Sequence, residues 1–334
     1  MRPPIILTSF AASALGLSAA AADPITIYAP WPADQIAWVE EQATAAGHEV
    51  AFISGGGGEL FDRILAERNN PQADVALGFV DTAIATLKSE GLLMAYEPTW
   101  AADLPAAFRD DEDNMVYKFW QTPIVIAYNA DALAAEAAPT SWLDLIEPEY
   151  EGRFVHGSLS WQTTRAYLAG ILARFTDENG EVTDEGWDFM RAFYENAIVV
   201  EDGNARAQAL ASGEAVIQLN WFGGAFNVAR DVGFNVEIVD TEGGTPFIAD
   251  GLGVMAGTDQ AEQAQAFVDW FGSAGFMAAY AHEFGRVPNL PAALAMAPEE
   301  VQANAAMVSP QPLDWDAIAP RLDGWLQTIE LEIR

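Results

Sequence analysis

Strand-like and helix-like segments alternate without interruption between residues 23 and 90. The β-rich run Ile25-Thr26-Ile27-Tyr28 precedes a segment in which Ile36, Val39 and Ala43 recur at helical spacing. Two more such pairs follow, and this alternation is typical of a parallel sheet covered by helices, so it predicts an α/β fold. The predicted strands are Asp23–Ala29, His48–Ile53 and Asp74–Gly78, and the predicted helices are Ala33–Ala46, Glu59–Arg68 and Asp81–Glu90.

The rest of the chain continues this α/β pattern and contains no flexible linker. Its 334 residues are enough for two lobes of ordinary size. Because no Gly/Ser-rich or Pro-rich stretch separates the halves, we expect the chain to cross between the lobes on extended strands. Further strands are predicted at Pro123–Asn129, Phe154–His156, Ala215–Leu219, Phe234–Val239 and Phe247–Met255, and further helices at Trp142–Ile146, Thr163–Phe175, Gly186–Tyr194, Ala205–Ser212, Gln260–Gly272, Ala274–Phe284 and Trp315–Leu331.

Residues 1–22 have the pattern of a secretory signal peptide. Arg2 supplies a positive charge, Ile5–Ala14 is almost wholly apolar or small, and Ala20-Ala21-Ala22 fits an A-x-A cleavage site. The apolar run is shorter than the ~20 residues that a membrane-spanning helix needs. No cysteine follows it that could carry a lipid anchor. We therefore expect an exported, periplasmic protein whose mature chain starts at Asp23.

The charge balance and the absence of cysteine exclude several classes of protein. Fifteen basic residues stand against 49 acidic ones, which gives a formal net charge of −34. Such a surface repels nucleic-acid phosphates and anionic lipids, so we expect neither as a partner. Without cysteine there is no disulfide, thiolate nucleophile, iron–sulfur cluster or Cys-ligated zinc site.

No catalytic or metal-binding motif is present. Gly55–Gly58 lacks the lysine of a phosphate-binding P-loop, and Gly157-Ser158-Leu159-Ser160-Trp161 lacks the last glycine of a nucleophile elbow. The three histidines, His48, His156 and His282, do not have the i,i+4 spacing of a helical zinc site. We therefore expect no enzyme, no resident cofactor and no metal site.

Several short motifs, in a fixed order along the chain, resemble one family. Together they are similar to the periplasmic solute-binding proteins of ABC importers, in the subgroup that includes ferric-ion, thiamine and 2-aminoethylphosphonate binders. The resemblance covers essentially the whole mature chain. Besides Ile25–Tyr28, the motifs are Glu59-Leu60-Phe61-Asp62-Arg63-Ile64, Asn70-Pro71-Gln72-Ala73-Asp74-Val75, Glu90-Gly91-Leu92-Leu93, Pro139-Thr140-Ser141-Trp142-Leu143-Asp144-Leu145, Ala209–Ala215 and Ala264–Phe271.

The resemblance implies a type II periplasmic-binding-protein fold: two α/β lobes, two crossing strands that act as a hinge, and a ligand cleft between the lobes. The crossings would lie near Thr122–Asn129 and Thr245–Gly251. Lobe 1 would comprise residues 23–122 and 248–285 and lobe 2 residues 123–247, with a C-terminal helical segment, 286–334, packing mainly on lobe 2. The implied partners are a small-molecule solute and an inner-membrane permease with its ATPase, and the receptor itself would be a monomer.

Cleft residues are expected in the loops at the carboxyl ends of strands, where open α/β sheets bind ligands. Glycines and hydroxyls at helix starts suit an anionic group, as does an arginine, whereas tryptophan faces beside acidic residues suit an organic cation. Turn formation, helix capping and packing between lobes are the alternative roles. The candidates are Trp31, Ser54, Gly57, Gly58, Glu59, Asp81, Ser158, Ser160, Trp161, Thr163, Asn220, Trp221, Asp250 and Arg286.

These candidates favour a solute with both an anionic and a cationic or aromatic group, such as an aminophosphonate or a thiamine-like molecule. Ferric-ion binding is the alternative. The ferric branch of the family carries adjacent tyrosines where this chain has Asn220-Trp221-Phe222, and indole and phenyl groups offer no ligand atom for iron. An exported α/β hydrolase is a further alternative, which the lack of a recognisable histidine base disfavours. A sensory receptor that hands its ligand to a membrane kinase is a third alternative.

Overall fold

The computed structural model describes residues 23–334, so the predicted signal peptide lies outside the described part. Within that part, no helix combines the length and the apolarity needed to cross a membrane. The strands are β1 (Ile25–Tyr28), β2 (Val50–Ile53), β3 (Val75–Val80), β4 (Tyr117–Asn129), β5 (Phe154–Gly157), β6 (Ala197–Val200), β7 (Ile217–Trp221), β8 (Val236–Ile238), β9 (Phe247–Val254) and β10 (Val287–Pro288). The α-helices are α1 (Ala33–Ala45), α2 (Gly57–Ala66), α3 (Asp81–Ser89), α4 (Gln162–Leu172), α5 (Asp184–Asn196), α6 (Gly203–Ser212), α7 (Phe222–Val232), α8 (Ala261–Phe271), α9 (Ala274–Phe284), α10 (Pro291–Met296), α11 (Glu299–Ala305) and α12 (Trp315–Thr328).

Strand β4 joins the two halves of the sheet. The strand order is β2-β1-β3-β9-β4-β7-β5-β6, with β8 and β10 also paired to β4. Residues Tyr117–Pro123 of β4 pair with β9, whereas Ile124–Tyr128 pair with β7. Strands β1, β2 and β3 are mutually parallel, as are β5, β6 and β7, which confirms the predicted α/β class. The strand that begins in one half therefore ends in the other, as a crossing strand does.

Each half of the sheet has its own hydrophobic core. In the first half, the predicted apolar face of α1, with Ile36, Val39 and Ala43, is buried beneath the sheet together with side chains of α8 and α9. In the second half, α4, α5 and α12 bury their apolar faces in a separate cluster. Burial of apolar surface in two centres stabilises two lobes rather than one.

The C-terminal segment 286–334 divides between the two cores. Strand β10 pairs with the first half of β4, and Val287 and Val301 cluster with Ala281 of α9, on the side of lobe 1. Helix α12 instead buries Leu322 and Trp325 in the core of lobe 2 and also lies against α3. The lobe limits implied by the resemblance stay a prediction. The part of this segment that shares the core of lobe 2 is α12 together with the residues next to it, Leu313, Ile329 and Ile333.

Helix α7 is the largest element that the sequence pattern did not predict. The predicted cleft loop Asn220–Phe222 leads into it, and its first turn contains Gly223 and Gly224, which have low helix propensity. Strand β6 and helices α10 and α11 were also not predicted, and β4 begins at Tyr117 rather than Pro123. Tertiary packing overrides local propensity at these places.

His156 links the stability of lobe 2 to pH. Its side chain is fully buried, and its Nδ1 lies 2.7 Å from the hydroxyl oxygen of Tyr167. Burial, helped by the positive charge of Arg206, lowers the pKa of His156 to about 3. An unfolded histidine titrates near pH 6.5, so below that pH the unfolded chain binds a proton that the folded chain excludes. Stability is therefore lost as the pH falls from about 6.5 toward 3.

Because of His156, we expect the free energy of unfolding to fall by about 2 kcal/mol when the pH is lowered from 7 to 5. His156→Gln should lack this loss, so the difference between its stabilities at the two pH values should be smaller than that of the wild type. Urea titrations followed by circular dichroism measure both. His282→Gln, at an exposed position, is the control and should keep the wild-type pH dependence. An unchanged pH dependence in His156→Gln would contradict the assignment.

Candidate ligand-binding cleft

Two adjoining cavities lie between the lobes. The polar chamber, of about 450 Å³, is lined by the charged side chains of Asp250 and Arg286 and by Thr122, Trp31 and Trp221. The apolar chamber, of about 440 Å³, is lined mainly by side chains such as Phe61, Leu65, Trp315 and Leu322. The residues that line both chambers form the neck; they include Gly57, Gly58, Ser160 and Gln162.

The structure brings most of the predicted site residues to these cavities. Lining the polar chamber are Trp31, Gly57, Gly58, Ser160, Thr163, Trp221, Asp250 and Arg286. Asp81 lines the apolar chamber. The predicted residues that line neither are Ser54, Glu59, Ser158, Trp161 and Asn220.

The five residues outside the cavities have other surroundings. The face of Trp161 is covered by Arg206, whose Cζ lies 4.6 Å from the ring centroid. Asn220 is buried and donates to Gln218 Oε1, while its own Oδ1 accepts from the next backbone N–H. Ser158 lies beside Ser160, with 2.8 Å between the hydroxyl oxygens. Ser54 and Glu59 are exposed. The face of Trp161 that Arg206 covers is therefore not free for a ligand.

Two helices from opposite lobes begin at the neck. Helix α2 starts at Gly57 and α4 at Gln162, and neither has a side chain that caps its first turn. A Cβ at Gly57 would lie 2.9 Å from Gln162 Nε2, which places the end of the Gln162 side chain against the start of α2 across the neck. The free N–H groups of α2 and α4 carry partial positive charge that favours an anion.

Arg286 adds a full positive charge to the polar chamber. It follows Gly285, the left-handed residue that ends α9. Its Nη1 donates to Thr122 Oγ1 at 3.0 Å, and its Cζ lies 5.8 Å from the ring centroid of Trp120. Within residues 23–334, no carboxylate lies within ion-pair distance of Arg286. The guanidinium can therefore bind an anionic ligand group.

Asp250 and Asp81 differ in what already binds them. Asp81 is buried; its Oδ1 lies 2.8 Å from Lys118 Nζ and its Oδ2 accepts from the Ala249 N–H at 2.6 Å. Asp250 accepts from the indole N–H of Trp120 and has no ion pair within the described chain. Burial raises the pKa of Asp250, and the nearby charge of Arg286 opposes that rise. Asp250 is thus the carboxylate that remains for a cationic group.

The two tryptophans of the polar chamber have different exposures. Trp31 is 7% exposed and stacks on Trp120 with 5.2 Å between ring centroids, so it belongs mainly to the core of lobe 1. Trp221 is 37% exposed, and its indole lies over the first turn of α7, where Gly223 leaves room for the ring. Trp221 is therefore the aromatic face open to a ligand.

Sequence reasoning missed several lining residues. Gln162 lies inside the predicted binding loop, between the candidates Trp161 and Thr163, and Thr122 is the last residue of the predicted lobe 1 segment 23–122. The position of both residues in the sequence could therefore have indicated them. Trp315 and Leu322 of α12 had none, because their position in the cleft depends on contacts with residues far away in the chain.

Comparisons with known proteins agree with this geometry. The sequence profile of the family described as "Bacterial extracellular solute-binding protein" matches residues 37–308. A protein of Sinorhizobium fredii, named as a probable ABC transporter periplasmic-binding protein, is 57% identical over 98% of this chain and 92% of its own length. A periplasmic protein of Salmonella typhimurium named for 2-aminoethylphosphonate binding is 31% identical over 34% of this chain and 32% of its own length.

Solved structures show the same architecture. Apo ferric ion-binding protein A of Pasteurella haemolytica has a TM-score of 0.79 at 16% identity, covering 92% of this chain and 97% of its own. The periplasmic binding protein AfuA of Actinobacillus pleuropneumoniae, with fructose-6-phosphate bound, has a TM-score of 0.71 at 21% identity, covering 93% and 98%.

Two lobes linked by a crossing strand, with a cleft between them, define the type II periplasmic-binding-protein fold, which confirms the predicted fold. The chain belongs to the bacterial extracellular solute-binding protein family. The resemblance stated from the sequence motifs is thereby confirmed.

Proposed function

We propose that this protein is the periplasmic substrate-binding component of an ABC importer. Its solute is a small organic molecule that carries an anionic group, of phosphonate or phosphate type, together with a cationic group, as in an aminophosphonate or a thiamine-like molecule that bears a phosphate. The family membership and the name of the Sinorhizobium fredii relative support the transport role. Cleavage after Ala22, a monomeric state, and a permease and ATPase as partners are parts of the same proposal.

The composition of the polar chamber carries the proposal for the ligand. One cavity contains the Arg286 guanidinium without an ion pair, the uncapped starts of α2 and α4, and the Asp250 carboxylate. The first three suit an anion and the last a cation, so a solute with both charges satisfies them all. The relative named for 2-aminoethylphosphonate and the AfuA structure with a sugar phosphate are consistent with an anionic head group.

Calorimetry against a panel of solutes tests this proposal. The panel comprises 2-aminoethylphosphonate, thiamine, thiamine monophosphate, fructose-6-phosphate, a polyamine, a betaine and a neutral sugar. We expect the tightest binding from a member with both charges. Tight binding of the neutral sugar alone would refute the proposal. Mass spectrometry of small molecules released from the purified, denatured protein identifies the natural solute independently.

Trp221→Ala should weaken binding of the solute with a cationic group by about 1–2 kcal/mol, or roughly 5- to 30-fold in Kd. The reason is that the exposed indole of Trp221 faces the polar chamber and attracts a desolvated cation. Phe226→Ala is the matched control, because Phe226 is an equally exposed aromatic of α7 that lines neither chamber. Calorimetry measures the affinity of both variants for this solute. If Trp221→Ala bound it as tightly as Phe226→Ala, Trp221 would not be a binding-site residue.

Ferric-ion binding is the alternative function, and it appears in the names of some structurally similar proteins. Among the described residues that line either chamber there is no tyrosine. Residues 23–334 also contain no cluster of three or more His, Cys, Asp or Glu side chains placed to hold a metal ion. We expect the protein to stay colourless when mixed with ferric citrate. A visible phenolate-to-iron absorption band in the purified protein would contradict this expectation.

A further inference from the structure

The apolar chamber is formed by side chains from both lobes. Phe61 and Leu65 of α2 pack on a core cluster of lobe 1. Trp315 and Leu322 of α12 belong to the core of lobe 2, and Ala166 of α4 continues that wall. The two apolar walls therefore face each other across a space that the chain's own side chains leave empty.

The charged groups of this chamber are already paired. Asp81 is bound by Lys118, and Arg165 forms an ion pair with Asp323 of α12. The polar chamber differs, because Arg286 there has no carboxylate partner among the described residues. Beyond the neck, a ligand group in the apolar chamber thus meets hydrocarbon surface, the threonines Thr82 and Thr86, and paired charges. A charged group is better placed in the polar chamber, where Arg286 is free to bind it.

The chamber is not merely a gap left by lobes standing apart. Helix α12 already lies against α3 of the opposite lobe, and both helices contribute lining residues. Protein interiors are close-packed, and apolar surface that stays in contact with water forgoes the stabilisation of burial. A cavity of about 440 Å³ between walls that already touch is large enough for a ring-sized organic group.

We propose that the apolar chamber receives an uncharged hydrocarbon portion of the solute, about one aromatic ring in size, while the charged groups occupy the polar chamber. The solute passes through the neck, where Gly57 and Gly58 leave the space that side chains would fill. This inference rests on the proposed function, and it narrows the substrate class to charged molecules with an apolar arm, larger than 2-aminoethylphosphonate.

Three probes separate the two chambers: methylphosphonate, 2-phenylethylphosphonate and 2-phenylethylammonium. Their affinities are measured by calorimetry on the wild type and on Ala319→Phe, which fills the apolar chamber from α12. Ala317→Phe is the matched control, because Ala317 is exposed on the same helix and does not line the chamber. Thr86→Leu narrows the chamber from the opposite wall. Circular dichroism verifies that each variant is folded.

We expect 2-phenylethylphosphonate to bind at least tenfold more tightly than methylphosphonate. Ala319→Phe and Thr86→Leu should abolish that advantage, and Ala317→Phe should retain it. Equal affinities of the two phosphonates, or an advantage that survives both chamber variants, would overturn the inference and leave the proposed function intact.

The remaining outcomes also decide. Binding of 2-phenylethylammonium but of neither phosphonate, with loss in Ala319→Phe, would support the chamber and refute the anionic part of the proposed function. Binding of none of the three probes would overturn the inference, and the panel of solutes with both charges would then decide the proposed function.

Discussion

Arg286→Met is expected to weaken binding of the anionic solute about 100-fold, close to 3 kcal/mol. Arg286 is the one cation that lines the polar chamber among the described residues, and no carboxylate lies within ion-pair distance of it there. Its removal leaves the anionic group in a partly dehydrated cleft with only helix N–H groups and hydroxyls as donors. The loss should appear for phosphonates and phosphates but not for a neutral solute.

Arg230→Met is the matched control for this experiment. Arg230 is an exposed arginine of α7 that lines neither chamber, so its replacement changes the net charge equally without touching the cleft. Calorimetry with 2-aminoethylphosphonate and with the tightest-binding member of the panel compares the two variants. If Arg230→Met lost as much affinity as Arg286→Met, long-range charge rather than direct contact would be responsible.

Gly78→Ala is expected to lower the unfolding free energy by about 3 kcal/mol or more. Gly78 has φ of 78° at an irregularity in β3, and a Cβ there would lie 2.2 Å from Nε1 of Trp31. The substitution therefore combines backbone strain with a steric clash against a ring that is stacked in the core of lobe 1. Both effects destabilise the folded state and leave the unfolded state unchanged.

Gly91→Ala separates the two effects. Gly91 has a similar φ of 69°, but a Cβ there meets nothing within 4 Å. We expect it to lose only about 1 kcal/mol, the contribution of the backbone conformation. Urea titrations of both variants measure the difference. Equal losses would show that the indole of Trp31 moves aside at little energetic expense.

Gly78 also shows where prediction from sequence stops. The predicted strand Asp74–Gly78 ends at this glycine. In the structure β3 continues through it to Val80, and the pairing with β9 shifts register there. A bulge of this kind depends on the neighbouring strand and on the Trp31 ring, neither of which is adjacent in sequence.

The candidate site was predicted in part for the same reason. Asp250 was predicted from its place on the returning strand and Arg286 as a rare cation after the helix that follows, and both line the polar chamber. Trp161 was predicted from its loop at the carboxyl end of a strand, yet Arg206 from a different helix covers one face of its ring. Position along the chain identifies the loop, whereas the groups packed against each side chain decide its use.

The sequence was sufficient for those properties that local periodicity and composition encode: the alternation of strands and helices, the α/β class, the excess of negative charge and the family motifs. The tertiary structure alone decided which acidic residue stays available to bind a ligand. Folding brings Lys118 and the backbone N–H of Ala249 to Asp81, and both bind its carboxylate. It also decided that α12 lines the cleft beside α3. Such contacts join residues distant in the chain, so no local pattern carries them.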